Sequence, residues 1–328
     1  MTRFLIATAL AVAASLPAVA QGPEGYGVPH LFALPTATTA RQFGMGGVTT
    51  CVEDVGFPNP AFAGMLEQQK AGLRLSCTDF DGGLKLKGTQ AWYATPIGVD
   101  QGMQLLGFRL DSDRGTIMTP AGALPGTIEE TDVAVHYGRR LSDRWLVGAG
   151  ISPILESQTR LLHPASGDVL SFTDSKANLG FRIGGLYQYA EDGFAGLVFD
   201  WYTEDVTFQA PPMVAPEKFE FTSTEWALGV SGRLSETVLG AIEWMELKSK
   251  DRGFRAKTEG LHLGIEAEVV DGGALRIGSN DGSLSLGAGY ERRDWVLNYA
   301  YIKDWNDDAV GAALGGSDTH QLEIGHYW

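Results

Sequence analysis

Thr319-His320-Gln321-Leu322-Glu323-Ile324-Gly325-His326-Tyr327-Trp328 is the stretch whose reading decides the fold. Leu322, Ile324, His326 and Trp328 alternate with Gln321, Glu323, Gly325 and Tyr327, the period of a strand with two unlike faces. Working back from there, the pattern recurs. Trp295, Leu297, Tyr299 and Tyr301 share one face of a second run. Leu284, Leu286, Ala288 and Tyr290 alternate with Ser283, Ser285, Gly287 and Gly289. Leu261, Leu263, Ile265, Ala267 and Val269 alternate with His262, Gly264, Glu266 and Glu268. Leu179, Phe181, Ile183 and Tyr187 complete the clear cases. In each run one face is apolar, and the other is small or charged. Helical periodicity nowhere extends over a dozen residues.

Applied to the whole chain, this period predicts fourteen strands: 70–79, 84–95, 101–111, 127–139, 145–160, 176–190, 194–208, 218–233, 237–248, 255–270, 274–279, 283–291, 294–304 and 319–328. Their connections alternate. One set is short: 96–100, 140–144, 191–193, 234–236, 271–273 and 292–293. The other is mostly long: 112–126, 161–175, 209–217, 249–254 and 305–318, with short members near Asp81 and Asp281. Short turns at one end, longer loops at the other and an even strand number fit an antiparallel transmembrane β-barrel. Strands of about ten residues suit a tilted bilayer crossing. Closure is required in lipid, because an open edge leaves backbone groups with no partner.

Composition narrows the function classes. A formal charge of −15 disfavours a nucleic-acid partner. Two cysteines exclude a disulfide framework or a four-cysteine metal site. Forty-three glycines in 328 residues, without a collagen period, point to tight turns and strands. Met1–Ala20 reads as a secretory signal: Arg3, an apolar run Phe4–Leu16, then Ala18-Val19-Ala20 as the cleavage pattern. No cysteine follows, so no lipid anchor is expected there.

Residues 21–68 differ from all that follows. They are rich in Pro and Gly and lack alternation. Phe32, Leu34, Phe43, Met45, Phe57 and Phe62 are too apolar for a solvated tail. The expected division is therefore 1–20 signal peptide, 21–68 plug inside the bore, and 69–328 barrel.

Ala40–Gly64 contains Gly44-Met45-Gly46-Gly47, the acidic pair Glu53-Asp54, and Asn59-Pro60-Ala61. This stretch resembles the start of the long-chain fatty-acid outer-membrane transporter (FadL) family. Ala274–Gly278, Gly287–Tyr290 and Asn298–Tyr301 are similar to that family's last strands. The resemblance implies a fourteen-stranded barrel occluded by an N-terminal hatch. It assigns hatch geometry to Gly46, Gly47, Asn59, Pro60 and Ala61. It also implies an outer-membrane channel for passive uptake of small hydrophobic molecules, of fatty-acid or aromatic-hydrocarbon type. The alternatives are a non-transporting barrel that serves as scaffold or secretion shuttle, and an outer-membrane lipid hydrolase. The expected partners are outer-membrane lipid and lipopolysaccharide, the barrel-assembly machinery through the Trp328 strand, and a small hydrophobic ligand. A monomer is expected.

Other constellations are weaker. No HExxH, CxxC or glycine-flanked serine motif is present, so no catalytic residue, metal or cofactor is assigned. Asp304, Asn306 and Asp308 have the opening spacing of a calcium loop but lack its Gly and its closing Glu. His136, His262, Arg74, Lys85, Lys87, Arg182, Glu266, Glu268 and Glu323 are expected to face the lumen. Trp92, Trp145, Trp201, Trp226, Trp244, Trp295, Tyr299, Trp305 and Trp328 are expected in aromatic girdles. Cys51 in the plug and Cys77 in the first strand allow a disulfide in an oxidising compartment. Closing that loop of about 26 residues would contribute roughly 3 kcal/mol.

Overall fold

The structure is a computed structural model and describes residues 39–54, 59–119, 122–162, 169–174, 178–209, 217–250, 255–304 and 316–328. The signal sequence, 21–38 and Trp305–Asp308 lie outside them. After a short helix α1 (Ala40–Gly44) and a 3-10 helix (Pro60–Met65), the rest is strand and turn. The first eight strands are β1 (Lys70–Phe80), β2 (Lys85–Gly98), β3 (Gln101–Ser112), β4 (Gly115–Thr119), β5 (Gly122–Arg140), β6 (Trp145–Leu162), β7 (Val169–Asp174) and β8 (Asn178–Ala190). The next four are β9 (Gly193–Gln209), β10 (Glu217–Arg233), β11 (Val238–Lys250) and β12 (Arg255–Val270). The last are β13 (Gly273–Asn280), β14 (Ser283–Arg292), β15 (Trp295–Lys303) and β16 (Ser317–Tyr327).

Fourteen of these form a closed antiparallel ring, in the order β1-β2-β3-β5-β6-β8-β9-β10-β11-β12-β13-β14-β15-β16. The seam is β16 on β1, in unbroken register from Lys70 opposite Tyr327 to Phe80 opposite Ser317. Beyond the last rung, Gln69 and Trp328 exchange backbone hydrogen bonds, and Trp328 Nε1 donates to Gln69 Oε1 at 2.7 Å. The remaining two strands, β4 and β7, fall in stretches that the sequence reading assigns to loops. They prolong hairpins above the ring: β4 pairs only with the start of β5, and β7 with the outer parts of β6 and β9.

The two faces of the wall are chemically opposite. Outward positions carry Leu73, Leu75, Leu105, Ile183, Leu228, Leu275, Leu286 and Leu322, all at least 40% exposed. A water-soluble protein rarely shows so continuous an apolar surface, whereas a barrel in lipid needs one. No helix among the described residues is long and apolar enough to cross a membrane. Rings cluster in two bands. Near the short turns, Trp145 packs on Tyr187 and Trp295 on His326, with centroids 4.9 and 4.5 Å apart. Nearer the long loops, Phe181 stacks on Trp201 and Phe199 contacts Trp226.

Three expectations about facing need correction. Trp92 is not in a girdle: it points inward and is buried. Lys85 and Lys87 point outward, where they pair with Asp79 and Asp113, each at 2.8 Å. β2 carries Leu86, Gln90 and Trp92 on its buried face, so apolar character does not mark the outside of this strand. The lysines are tolerated outside because they sit at the long-loop end of β2, within reach of water. The Cys51–Cys77 disulfide does not form; both thiols are free. Cys51 lies inside the bore, where its carbonyl accepts from Ser231 Oγ of β10. Cys77 alternates with inward Arg74 and Thr78 and lies on the outer face of β1, seven strands round the ring from β10.

Candidate functional site: the plug and its seat

Residues 39–54 and 59–66 fill the short-turn half of the bore. Local chemistry shapes them first. α1 opens on a capping box: Thr39 Oγ1 accepts from Gln42 N at 3.1 Å, and Gln42 Oε1 accepts from Thr39 N at 3.4 Å. Two glycines end it. Gly46 and Gly47 have φ of 76° and 83°, and Gly47 N donates to Gln42 O at 2.9 Å. Asn59 caps the 3-10 helix by accepting from Ala61 N at 3.1 Å, with Pro60 supplying the first helical residue.

Three wall glutamates then clasp the plug. Glu323 of β16 accepts from Ala40 N at 3.1 Å and from Arg74 of β1 at 2.8 Å. Glu266 of β12 takes a two-pronged bond from Arg41 at 2.9 and 2.7 Å, and a third from Arg276 at 2.6 Å. Glu243 of β11 receives the backbone amides of Thr49 and Thr50 at 2.9 and 2.6 Å. His262 Nδ1 lies 3.2 Å from both Glu243 and Gly47 O. A carboxylate that accepts backbone N–H bonds in a buried site forms charge-assisted contacts, stronger than neutral ones. Charge pairs also bridge wall strands on their own, as Arg182 does to Asp200.

The third layer is apolar. Met45, Val48, Cys51, Val52, Ala61 and Phe62 pack against Leu146, Leu186, Phe194 and Ala241 of the wall. Phe62 meets Phe194 edge-on at 5.6 Å. Phe43 packs with Ala300 and Ile302 of β15. Full burial of side chains this size is worth about 1.5–3 kcal/mol each. Burial, reinforced by nearby Glu243, pushes the Cys51 thiol above its ordinary range and keeps it protonated.

What lets the plug lie so close is a belt of inward glycines in the wall. Gly102, Gly138, Gly148 and Gly184 occupy consecutive rungs across β3, β5, β6 and β8. A Cβ on Gly138 would come within 2.5 Å of Pro60 O. On the opposite side Gly264 and Gly278 pair across β12 and β13, and a Cβ on Gly264 would lie 2.5 Å from Met45 O. Asn59 Nδ2 exploits the contact, donating to the carbonyls of Thr50 and Gly185 at 3.0 Å each. Gly46 nests against the carbonyls of Leu263 and Ser279 so closely that a Cβ there would clash.

The five residues singled out from the resemblance thus fall in two groups. Gly46 and Gly47 turn the chain over β12 and β13. Asn59, Pro60 and Ala61 dock on β5, β6 and β8. The glutamate clasps and the glycine belt escape the sequence reading. The belt was partly visible as the small-residue face of each strand, but which glycines align depends on inter-strand register. Among the expected lumen residues, His136, His262, Arg74, Arg182, Glu266 and Glu323 do face inward. The described residues hold no cluster of three or more metal-ligating side chains.

No protein-family model matches the chain, and no curated protein matches its sequence. Solved structures do. The Ralstonia pickettii toluene transporter TbuX superposes with a TM-score of 0.65 at 13% identity, over 90% of this chain and 100% of that one. The CymD monoaromatic hydrocarbon channel gives 0.62 at 14% identity, over 90% and 99%. A Pseudomonas aeruginosa FadL homologue gives 0.60 at 14% identity, over 93% and 99%. The chain therefore shares its fold with these structures.

Proposed function

We propose that this protein is an outer-membrane channel for passive uptake of small hydrophobic molecules, with residues 69–328 as the barrel, 21–68 as its hatch and 1–20 as a cleaved signal. The observation that carries this reading is a plug that is clasped by side chains and seated on glycine, with no covalent tie to the wall beyond its own chain. Such a plug can shift without breaking any strand pairing. The short turns then face the periplasm and the long loops the exterior. Apolar solutes cross the polar lipopolysaccharide layer poorly, and a protein path relieves that barrier. The direction of flow follows the gradient alone.

On the short-turn side, a cavity of about 110 Å³ separates plug from wall, lined in part by Arg41, Glu53, Phe194, Arg233 and Glu266. It offers an exit towards water. The outer apolar surface meets membrane lipid, β16 is the strand offered to the assembly machinery, and the ring closes within one protomer.

The test is uptake. Proteoliposomes that contain the purified protein are mixed with toluene or a medium-chain fatty acid, and entry is followed against protein-free vesicles. Accelerated entry supports the proposal. Equal rates for every apolar solute, with a large protein retained on purification, would favour a scaffold instead.

A further inference from the structure

The glycine belt continues across the seam, but there the plug does not fill it. α1 packs on β13–β16, and the 3-10 helix packs on β2, β3, β5, β6 and β8. Gly72 of β1 and Gly325 of β16 form a rung between these two zones. Over that rung lies the indole of Trp92. A Cβ on Gly72 would meet Trp92 Cε2 at 2.5 Å, and one on Gly325 would meet its ring at 3.1 Å. Leu66 and Tyr327 pack against the cluster that Trp92 forms with Ala94, Leu106 and Ala134. A side chain here does the work that backbone does elsewhere.

The same sector holds polar atoms with nothing to bond. Arg74, Gln90 and Trp92 are 2%, 2% and 5% exposed. Arg74 Nη1 donates to Gln90 Oε1, and Arg74 Nη2 to Glu323. That leaves Arg74 Nε, Gln90 Nε2 and Trp92 Nε1 buried with no partner. Register sets Arg74 opposite Gln90 and Gly72 opposite Trp92, so all three donors come from rungs two residues apart on one inward face. Gln104 Oε1, near the short-turn end of β3, is buried without a partner as well. Each unmet donor in a dry site costs free energy that an incoming acceptor would recover.

We propose that the inner face of β1 and β2, with Trp92 as its movable cover, is a subsite for the oxygen of a neutral, carbonyl-bearing apolar solute. This inference rests on the uptake reading and narrows its substrate class. Three donors ask for an acceptor, which a pure hydrocarbon lacks. Charge argues against a carboxylate. Arg74 is already matched by Glu323, so an anion would enter a buried site with no spare cation to compensate it. A ketone, aldehyde or ester oxygen takes the donors without that penalty. Entry swings the indole off Gly72 and Gly325, a rotamer change that leaves the glutamate clasps on the plug intact.

The experiment compares acetophenone with ethylbenzene, which differ by a carbonyl in place of a methylene. Binding is measured calorimetrically on the full-length protein in nanodiscs, with empty nanodiscs as the blank for partition. Acetophenone should bind about tenfold more tightly than ethylbenzene, and benzoate at least about tenfold more weakly than acetophenone. Trp92→Phe removes one donor and keeps a ring over the glycines. Gln90→Glu removes another and keeps the oxygen that Arg74 uses. Either change should bring the acetophenone-to-ethylbenzene ratio close to one, with ethylbenzene affinity held within about twofold. Equal binding of the two probes to the parent protein overturns the subsite and leaves the channel standing. It would mean that the donors serve bound water. Tighter binding of benzoate overturns the preference for a neutral group. Failure of both aromatic probes to bind removes the channel reading as well.

Discussion

Two sectors of one ring solve the same problem differently. From β3 round to β14, the bore is stopped by main chain laid on glycine, pinned by Glu243, Glu266 and Asn59. Over the Gly72–Gly325 rung that joins β1 to β16, it is stopped by an indole laid on glycine. Main chain in the first sector is held by several bonds at once and moves only as a unit. The indole in the second moves by rotation about two single bonds. The difference teaches where a narrow path can open at low cost and where opening means unseating the plug.

The largest expected effect comes from spoiling the main-chain sector. Gly184→Val drives methyls into Asn59 and Pro60. It should destabilise the seated plug by about 3 kcal/mol or more. Planar-bilayer recordings should then show steady ionic currents that the parent lacks, while heat-dependent gel mobility stays that of a folded barrel. A silent, folded variant would show that the belt does not hold the plug. Glu243→Ala comes next. It strands the amides of Thr49 and Thr50 and should loosen residues 45–52 by about 2–3 kcal/mol, read as faster amide hydrogen exchange there than in the strands. Unchanged exchange would remove the clasp from the comparison. Asn59→Ala removes a cap and the bonds to Thr50 and Gly185, and should cost about 1–2 kcal/mol in the same assay, confined to residues 59–66. The smallest effect concerns the thiols. In detergent, a maleimide small enough to enter the micelle should label Cys77 and spare Cys51, and non-reducing gels should show no mobility change. A reducible band shift would place the two cysteines together and break the assignment of opposite walls.

The strands were legible because period-2 alternation is local. The predicted stretch 101–111 meets an observed Gln101–Ser112, and 283–291 meets Ser283–Arg292. β4 and β7 were missed because they project beyond the ring, where no bilayer enforces a two-faced pattern. Facing failed on β2, where Trp92 turns inward and two lysines turn out. Alternation says that faces differ, not which one meets lipid. The disulfide failed for a related reason: proximity depended on ring position, and seven strands separate β1 from β10. Of the plug, the turn and cap residues were readable from Gly, Asn and Pro chemistry. The clasps were not, since Glu243 looks like any other charge on a wall strand.

The rung that joins Gln69 to Trp328 has a mechanical consequence. β1 emerges directly from the plug and pairs with β16, so the strand that leads out of the stopper is also one of the two that shut the cylinder. A pull on the stopper is therefore transmitted along the backbone straight to the closing seam, the one junction in the ring whose two strands are not joined by a neighbouring hairpin.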